Sequence, residues 1–482
     1  MLTLVLILFP LVAGLLLLFV KGENAKQIAF VASLIEFGIA VFAYTQVHYD
    51  PTQKSLIFKR EWIHAIGVEF FVSMDGISML MVLLTTLLVP FIILSSFGNK
   101  YENPSVFYAL ILIMQMALIG VFTAMDGFLF YIFWELALIP IYFICALWGG
   151  ENKLKITLKF FIYTMLGSLF MLASLIYLYL LTPLPNSFSI HALTSVLLTP
   201  VQQTWIFAGF FLAFAIKMPV FPFHSWQPDT YTVAPSAGSM LLAGIMLKMG
   251  LYGLLRFLIP AAPGIFAYMA PYAITLALIG LVYGSVIAVK QKEIKRLIAY
   301  SSFAHVGLMA AAIFSITADG LQGSIYQMLS HGINVVALFF IAEIIQDRCG
   351  TTLISELGGI AKSAPRFAVF FMIVMLGSVA LPLTNGFIGE FLMLLGLAKY
   401  ALWVAAIAGL SVILGAVYMF RLYQHTMYGE INSLTSSFRD LSTTEMMIAV
   451  PVSLIILSMG IFPKPLLDIA QPMVHQILSH IP

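Results

Sequence analysis

The sequence predicts an all-α polytopic membrane protein with about fourteen transmembrane helices. Hydrophobic residues make up 61% of the 482 residues and charged residues only 9%, whereas a soluble domain carries about 25% charged residues. Mean hydropathy is +1.03. Apolar runs follow one another along the chain, and each approaches the ~20 residues that cross a bilayer. These observations exclude a soluble globular fold.

The first predicted span is expected to be a retained helix, because no small-residue cleavage site follows it. In chain order the predicted spans cover residues 2–20, 28–47, 74–97, 104–124, 127–148, 157–181, 205–230, 235–259, 266–289, 292–315, 320–345, 365–400, 402–425 and 446–464.

Basic residues indicate how the spans are oriented, since cytoplasmic or matrix loops are enriched in lysine and arginine. Of the 23 basic residues, Lys217 and Lys248 lie inside spans, 15 lie in or beside loops after odd-numbered spans and 6 in or beside loops after even-numbered spans. We therefore expect both termini on the periplasmic or intermembrane side. The loop from Tyr49 to Phe71 carries three basic residues against this pattern, and we expect a small folded cap there.

Two overlong spans contain helix-breaking residues and suggest an internal repeat. The seventh breaks at Pro219 and Pro222, and the twelfth breaks at Pro382 in LPLTNG. Matching interrupted helices in two five-helix halves are typical of inverted-repeat transporters, whose ion sites lie at the breaks. The plainer alternative is that proline and glycine are common in membrane helices. The predicted segments are N-terminal helices in 1–103 with an external loop 48–73, a first repeat in 104–259 (spans 4–8), a second repeat in 260–425 (spans 9–13) and a final helix in 426–482.

Lys217 lies directly before the first break, inside an apolar run. A lysine at mid-bilayer depth costs on the order of 3 kcal/mol, so its position needs an explanation. Pro219 and Pro222 interrupt the helix, and an interrupted helix is tolerated at membrane depth only beside other helices or water. Water at the break would also hydrate the ammonium. We expect Glu135, in FWELALIP, to be its counter-charge, because an isolated carboxylate there would take up a proton.

Four further ionisable residues within predicted spans are candidates for a proton path: Lys248, His305, His331 and Glu390. Weaker candidates lie near span ends or, for Glu36, in a span outside both repeats: Glu36, Asp75, Glu343 and Lys399. Lys248 has no carboxylate beside it in sequence and can exist neutral, which lets a lysine relay protons. Histidine titrates near neutral pH. A single histidine in a membrane is more often an interhelical hydrogen-bond donor. Two histidines between a buried lysine and a buried glutamate favour a proton path along this row.

Cysteine and glycine patterns exclude several cofactor sites. Cys145 and Cys349 form no C-x-x-C pair, which excludes an iron–sulfur cluster or structural zinc held by this chain alone. Neither the G-x-G-x-x-G fingerprint after a strand nor the phosphate-binding P-loop is present. We expect no cofactor and no metal in this chain, so its driving energy must come from elsewhere.

Several longer motifs resemble a known family. FWELALIP, KMPVFPFHSWQPD, APSAGSMLLAGIMLKMGLYGLLRF, IKRLIAYSSFAHVG, SHGI and GFIGEF are similar, in order and spacing, to the antiporter-like membrane subunits of respiratory complex I, NADH:quinone oxidoreductase. The similarity runs from about Phe71 to Arg421. Glu390 stands where the sister subunits carry a lysine, and no long lateral helix follows the last span. Both features resemble the subunit M branch, the counterpart of mitochondrial subunit four.

The resemblance implies a proton-translocating subunit in which quinone chemistry in other subunits perturbs the pair of Glu135 and Lys217. It implies that Lys248 is the central proton carrier and that Glu390 is the terminal gate, with the two histidines continuing the path. It also implies flavin, iron–sulfur clusters and quinone in partner subunits. Sister antiporter-like subunits would lie on either side, in a bacterial plasma membrane or mitochondrial inner membrane, and no nucleic acid is an expected partner.

The segment after the first break departs from this family. Members commonly carry a histidine in P-D-A-H, whereas this chain reads PDTY and places Tyr231 there. His224 remains as a supporting residue. The phenol of Tyr231 stays neutral, although its hydroxyl can order water.

Two alternatives stay open from the sequence. An Mrp-type cation/proton antiporter subunit would share these motifs without a redox partner, although Glu390 favours complex I. A structural spacer with inert charges would bury six ionisable groups without a use, at a heavy cost in stability. Co-purified flavin and iron–sulfur subunits would favour complex I, and several small antiporter subunits would favour the Mrp type.

Overall fold

The structure is a computed structural model that describes residues 1–20, 22–49 and 54–481. Residues 50–53 of the predicted cap lie outside the described residues, as do Lys21 and Pro482. Most of the described chain is helical. In chain order the α-helices are α1 (Leu2–Leu17), α2 (Asn24–Tyr49), α3 (Gly76–Ser95), α4 (Pro104–Thr123), α5 (Gly127–Leu136), α6 (Leu138–Trp148), α7 (Lys153–Leu181), α8 (Ile190–Thr194), α9 (Pro200–Lys217), α10 (Gln227–Val233), α11 (Ser236–Leu241), α12 (Lys248–Gly253), α13 (Ile259–Ala261), α14 (Pro263–Lys290), α15 (Ile294–Phe314), α16 (Ala318–Cys349), α17 (Ile360–Ser363), α18 (Pro365–Ser378), α19 (Asn385–Tyr400), α20 (Leu402–Met427), α21 (Thr443–Ile461) and α22 (Lys464–Ser479).

Each predicted span coincides with one helix or with a set of consecutive helices. Among the described residues, 11 helices are long and apolar enough to cross a membrane, and α1 and α18 are shorter apolar helices. The all-α membrane fold is confirmed. The count of fourteen spans stays a prediction.

The predicted cap contains a β-hairpin formed by β1 (Phe58–Ile63) and β2 (Val68–Val72). Gly67 turns the chain between them with a φ of 62°, a conformation that glycine adopts without strain. A Cβ at this position would come within 2.3 Å of a backbone carbonyl oxygen in the loop after α7. Across the hairpin, Lys59 pairs with Glu69 at 2.9 Å, which offsets part of the positive charge of this loop.

The chain folds into two compact units. The first comprises Met1–Met218, Ile245–Ala270 and Ile469–Pro482, and the second comprises Pro219–Gly244 and Pro271–Asp468. In the first unit, α4 packs against α1, α2 and α3, and α7 packs against α9. In the second unit, α16 is the central helix and packs against α15, α18, α19 and α21. The inverted repeats predicted from the sequence are a different division of the chain, and they stay a prediction.

Local sequence explains where the helices before the two breaks begin. The hydroxyl of Thr199 accepts a hydrogen bond from the N–H of Gln202, whose side chain accepts one from the N–H of Thr199. This capping box satisfies donors at the start of α9. Pro365 opens α18 at a position where a missing N–H costs nothing. The carboxylate of Asp440 caps the next two N–H groups of that helix at 3.1 and 2.9 Å.

Asp126 caps the helix α5, which carries Glu135. Its carboxylate accepts hydrogen bonds from the N–H groups of Phe128 and Leu129 at 3.0 Å and of Glu69 at 3.2 Å. Asp126 is fully buried. Burial raises the pKa of its carboxyl to about 6, although the three N–H donors act in the opposite direction.

Replacing Asp126 by asparagine is expected to leave the thermal midpoint of the assembled protein equal or higher at alkaline pH. Because the pKa of Asp126 is higher in the folded chain than its ordinary 3.8, its contribution to stability is complete below that value and is lost as pH rises through about 6. Asparagine keeps the oxygen that accepts from the N–H groups of Phe128 and Leu129 and removes the charge. Asp126→Ala removes the acceptor and should cost ~1 kcal/mol. Thermal midpoints of the three proteins in acid and alkaline buffer measure this, and an alkaline loss in the asparagine variant would contradict it.

Candidate functional site

The first helix interruption lies where the prolines predict it. Helix α9 ends at Lys217, and Pro219 and Pro222 lie in the segment before α10 begins at Gln227. The side chain of Lys217 is 2% exposed. Its Nζ lies 5.3 Å from the centroid of the Trp134 ring, within cation–π range, and has no hydrogen-bond partner among the described residues.

Glu135 lies near the C-terminal end of α5 and is half-buried. The hydroxyls of Ser168 and Tyr131 and the charge of Lys217 lie near its carboxylate, whose Oε1 has no hydrogen-bond partner among the described residues. Lys217 Nζ forms no hydrogen bond to this carboxylate. The structure therefore brings the predicted partners into electrostatic interaction, but without direct contact. Their interaction depends on the charge that each of them carries.

Lys248 is fully buried in the first unit, at the start of the short helix α12. Two π-helical turns, Leu242–Met246 and Leu254–Leu258, flank this helix. Such turns are rare and recur at functional sites. Gly250 allows α9 to approach closely, because a Cβ there would lie 2.9 Å from the carbonyl oxygen of Phe214. Gly250 therefore lies directly against the helix that carries Lys217.

The second interruption separates α18 from α19, around Pro382. Ala380 and Leu383 have φ angles of 57° and 73°, which strain residues that carry a Cβ. Polar groups of α16 hold the start of α19: Ser330 donates to the Asn385 carbonyl oxygen at 3.0 Å. Asn334 donates to the side-chain oxygen of the same asparagine at 3.1 Å. The break is thus fixed by buried hydrogen bonds.

His305 lies between a backbone carbonyl and a buried carboxylate. Its Nδ1 is 2.8 Å from the Ser301 carbonyl oxygen, and its Nε2 is 3.1 Å from Glu390 Oε1. A carbonyl oxygen can only accept, so Nδ1 carries a proton. Nε2 therefore faces the carboxyl group of Glu390 at ion-pair distance. In this geometry one proton can be held between the two side chains.

A small cavity of about 10 Å³ adjoins His305, and such a volume holds about one water molecule. His331 lines the cavity, and its ring centroid lies 5.8 Å from that of His305. The side chains of Gln327 and Asn334 complete a largely polar wall. The structure places His305 next to Glu390 and His331 beside His305.

Comparison with known proteins identifies the family. The family described as NADH:quinone oxidoreductase/Mrp antiporter, TM, matches residues 124–416. The NADH-quinone oxidoreductase subunit M of Rickettsia typhi (strain ATCC VR-144 / Wilmington) is 40% identical over 484 residues, which cover 98% of this chain and 97% of that protein. The chain belongs to the subunit M family of NADH-quinone oxidoreductase.

Solved structures separate the two functional alternatives. A chain of respiratory complex I from Thermus thermophilus with bound NADH matches with a TM-score of 0.92 and 32% identity, over 100% of both chains. A chain of the Mrp complex from Dietzia sp. DQ12-45-1b matches with a TM-score of 0.85 at 18% identity, over 98% of this chain and 52% of that one. At that identity the likeness concerns the fold alone. The Mrp alternative is the weaker one, and this chain is a membrane subunit of NADH:quinone oxidoreductase.

His224, the supporting residue of this subunit M chain, lies in an aromatic cluster. Its ring stacks on Phe303 at 4.5 Å between centroids and meets the edge of Tyr283 at 5.3 Å. Tyr231 is fully buried and interacts with the side chain of Gln227. Across the described ranges, no group of three or more histidine, cysteine, aspartate and glutamate side chains is placed to hold a metal ion.

Sequence reasoning missed a polar network near the end of the eighth span. Arg256 pairs with Asp75 and donates to the hydroxyls of Ser78 and Tyr252 at 3.1 Å. Tyr252 in turn donates to the Phe122 carbonyl oxygen at 2.9 Å. The sequence placed Asp75 only among weaker candidates near span ends. Asp75 and Arg256 are 181 positions apart in the chain, so local sequence does not indicate that they pair.

Glu36, for which the sequence suggests no role beyond contact with a neighbouring chain, lies on α2. Its side chain is fully buried inside this chain, and neither carboxylate oxygen has a hydrogen-bond partner among the described residues. Gln115 on α4, which packs against α2, is also buried, and its side chain is likewise unpartnered in the described part of the chain. A neighbouring chain could reach Glu36 only if α2 moved.

Proposed function

We propose that this chain translocates protons through its buried ionisable groups as a subunit of NADH:quinone oxidoreductase. The observation that carries the proposal is the 3.1 Å contact between His305 Nε2 and Glu390 Oε1. A shared proton can leave or enter such a pair with little movement of heavy atoms. The cavity beside His331 has room for about one water molecule, which can exchange that proton. Glu390 acts as the terminal gate of the path.

Glu135 and Lys217 form the coupling pair of the first unit. Because they interact by charge without a direct hydrogen bond, a change in hydration or in a neighbouring charge alters their interaction. A buried pair in full contact would resist separation, since losing either partner costs about 3–5 kcal/mol. The looser arrangement suits a switch that quinone chemistry in other subunits can operate.

Redox groups belong to partner subunits in this proposal. Flavin, iron–sulfur clusters and quinone would be bound there, and sister antiporter-like subunits would flank this chain in the membrane arm. The chain would reside in an energy-transducing membrane, either a bacterial plasma membrane or a mitochondrial inner membrane. Purification of the intact assembly with flavin and iron–sulfur subunits supports this, and isolation with small antiporter subunits only would overturn it.

Lys248→Ala is expected to lower NADH-driven proton uptake by roughly tenfold or more, because the central carrier would be lost. Lys248→Arg should be nearly as damaging, since a guanidinium keeps its proton at all physiological pH values. The measurement is proton uptake by energised vesicles, normalised to assembled complex. Lys155→Ala, at an exposed position of α7, is the control. If the arginine variant pumped normally, Lys248 would not be a proton carrier.

Both termini are proposed to lie on the periplasmic or intermembrane side, on the evidence of the basic loops. A cysteine introduced between Lys290 and Arg296 should therefore resist a membrane-impermeant thiol reagent added from that side. It should react once the membrane is opened, which serves as the control for access. Labelling in sealed vesicles from the periplasmic or intermembrane side would contradict both the topology and the inverted repeats.

A further inference from the structure

The second unit carries an apolar groove between α18 and α21. Its volume is about 480 Å³. Aliphatic and phenyl side chains form most of its wall, among them Val369, Phe370, Ile373, Ala449, Val450 and Leu454. Val450 is 44% exposed and Leu454 61% exposed, so the groove is open on its outer side. Since α21 is a candidate membrane span, the groove faces the hydrocarbon or a neighbouring protein.

One end of the groove is basic. Arg366 lines it at the start of α18, and its exposed guanidinium has no ion-pair partner among the described residues. Two further basic residues at this end are exposed. Lys362 is close to Arg366 in the chain, and Arg439 is next to Asp440, which caps the same helix. The acidic groups at this end are engaged: the Asp440 carboxylate accepts three backbone N–H groups, and Glu445 pairs with Arg348. Positive charge at the end of the groove is therefore available to a ligand.

The basic end of the groove lies at the end of the second unit that carries the loops rich in lysine and arginine. The N–H of Ile354 donates to the Lys292 carbonyl oxygen at 2.8 Å. Asn432 donates to the Glu356 carbonyl oxygen, also at 2.8 Å. The loops before α15, before α17 and after α20 thus lie together. The guanidinium of Arg366 is at the water-facing end of the spans, where lipid head groups are found.

The length of the groove matches one leaflet. Its lining on α21 runs from Met446 to Leu457, which corresponds to roughly 16 Å at the helical rise of ~1.5 Å per residue. The hydrocarbon core of a bilayer is ~30 Å thick, so each leaflet contributes about half of that. An acyl chain entering from the basic end would therefore fill the groove without crossing the midplane.

We propose that this groove binds an anionic phospholipid of the leaflet next to the basic loops. One acyl chain would lie along α18 and α21, and the phosphate would contact Arg366. Basic pockets between transmembrane helices on the cytoplasmic or matrix side bind anionic head groups. The charge at the end of the groove favours this occupant over a helix of a neighbouring subunit, which would need only the apolar wall. The site is separate from the proton path and does not rest on it.

Photo-crosslinking in the intact complex tests the occupant. Val450 is replaced by a benzophenone amino acid, and the complex is placed in nanodiscs of phosphatidylcholine with a minority of phosphatidylglycerol. Mass spectrometry should identify a phospholipid adduct in which phosphatidylglycerol exceeds its share of the nanodisc. The same photo-residue at Leu169, which is 48% exposed on α7, should capture the bulk composition. A peptide adduct from a partner chain, no adduct, or equal lipid composition at both sites would overturn the proposal.

Arg366→Gln tests the head-group contact. The variant should lower the enrichment of phosphatidylglycerol at Val450 about fivefold, the effect of one basic side chain at a membrane surface. Lys155→Gln is the matched control and should leave it unchanged. Unchanged enrichment in Arg366→Gln would remove Arg366 from the site. If this variant failed to assemble, the comparison of Val450 with Leu169 in the otherwise unaltered complex would still decide the proposal.

Discussion

Glu390→Gln is expected to reduce NADH-driven proton uptake by roughly tenfold or more in correctly assembled complex. Glutamine keeps the shape of the side chain but can neither gain nor lose a proton, so His305 Nε2 would face an amide instead of a carboxyl group. The measurement is proton uptake by vesicles energised with NADH, normalised to assembled complex.

The other substitutions at this position separate charge from shape. Glu390→Asp should retain part of the uptake, because a shorter acid can still exchange its proton with His305 through a water molecule. Glu390→Lys should lose the proton uptake. The Nδ1–H of His305 already donates to the Ser301 carbonyl oxygen, and an ammonium would then face its Nε2 in place of an acid. Equal uptake in the Gln and Asp variants would mean that charge at Glu390 is irrelevant, and the terminal gate would have to lie elsewhere.

Lys217→Ala is expected to abolish most quinone-linked proton uptake while the complex still assembles. Without the nearby positive charge, the half-buried carboxylate of Glu135 would hold a proton and the pair would stay in one state. Glu135→Ala should be comparably damaging, because the ammonium would then be buried beside Trp134 without a counter-charge.

The control for both variants is Lys155→Ala, which removes an exposed lysine from the same unit and should pump normally. NADH:quinone turnover is measured beside proton uptake, so that loss of coupling is distinguished from loss of electron transfer. Full uptake and full turnover in assembled Lys217→Ala complex would show that the pair is only structural.

The sequence predicted the positions of the helix interruptions well because their causes are local. Pro219 and Pro222 remove backbone donors wherever they occur in a helix, and Lys217 beside them requires a polar environment. The partnership of Lys217 with Glu135 also followed from charge alone. The missing direct hydrogen bond did not, since it depends on how α5 and α9 pack.

Contacts between distant helices could not be predicted. His305 and Glu390 belong to α15 and α19, and no periodicity within either helix indicates that they meet. The same holds for Asp75 and Arg256. The π-helical turns around Lys248 leave no mark in the hydrophobic pattern, because every residue from Ser236 to Leu255 is buried. In each case tertiary packing decides the geometry of the site, whereas local sequence decides only which groups are present.

The most direct test of the shared proton is a double-mutant comparison of proton uptake. His305→Gln, Glu390→Gln and the combined variant are assembled into complex, and proton uptake per NADH oxidised is measured for each. Groups that act as one unit are strongly non-additive, so the double variant should lose no more than either single variant. Losses that add in the double variant, or normal uptake in either single variant, would contradict a proton shared between His305 and Glu390.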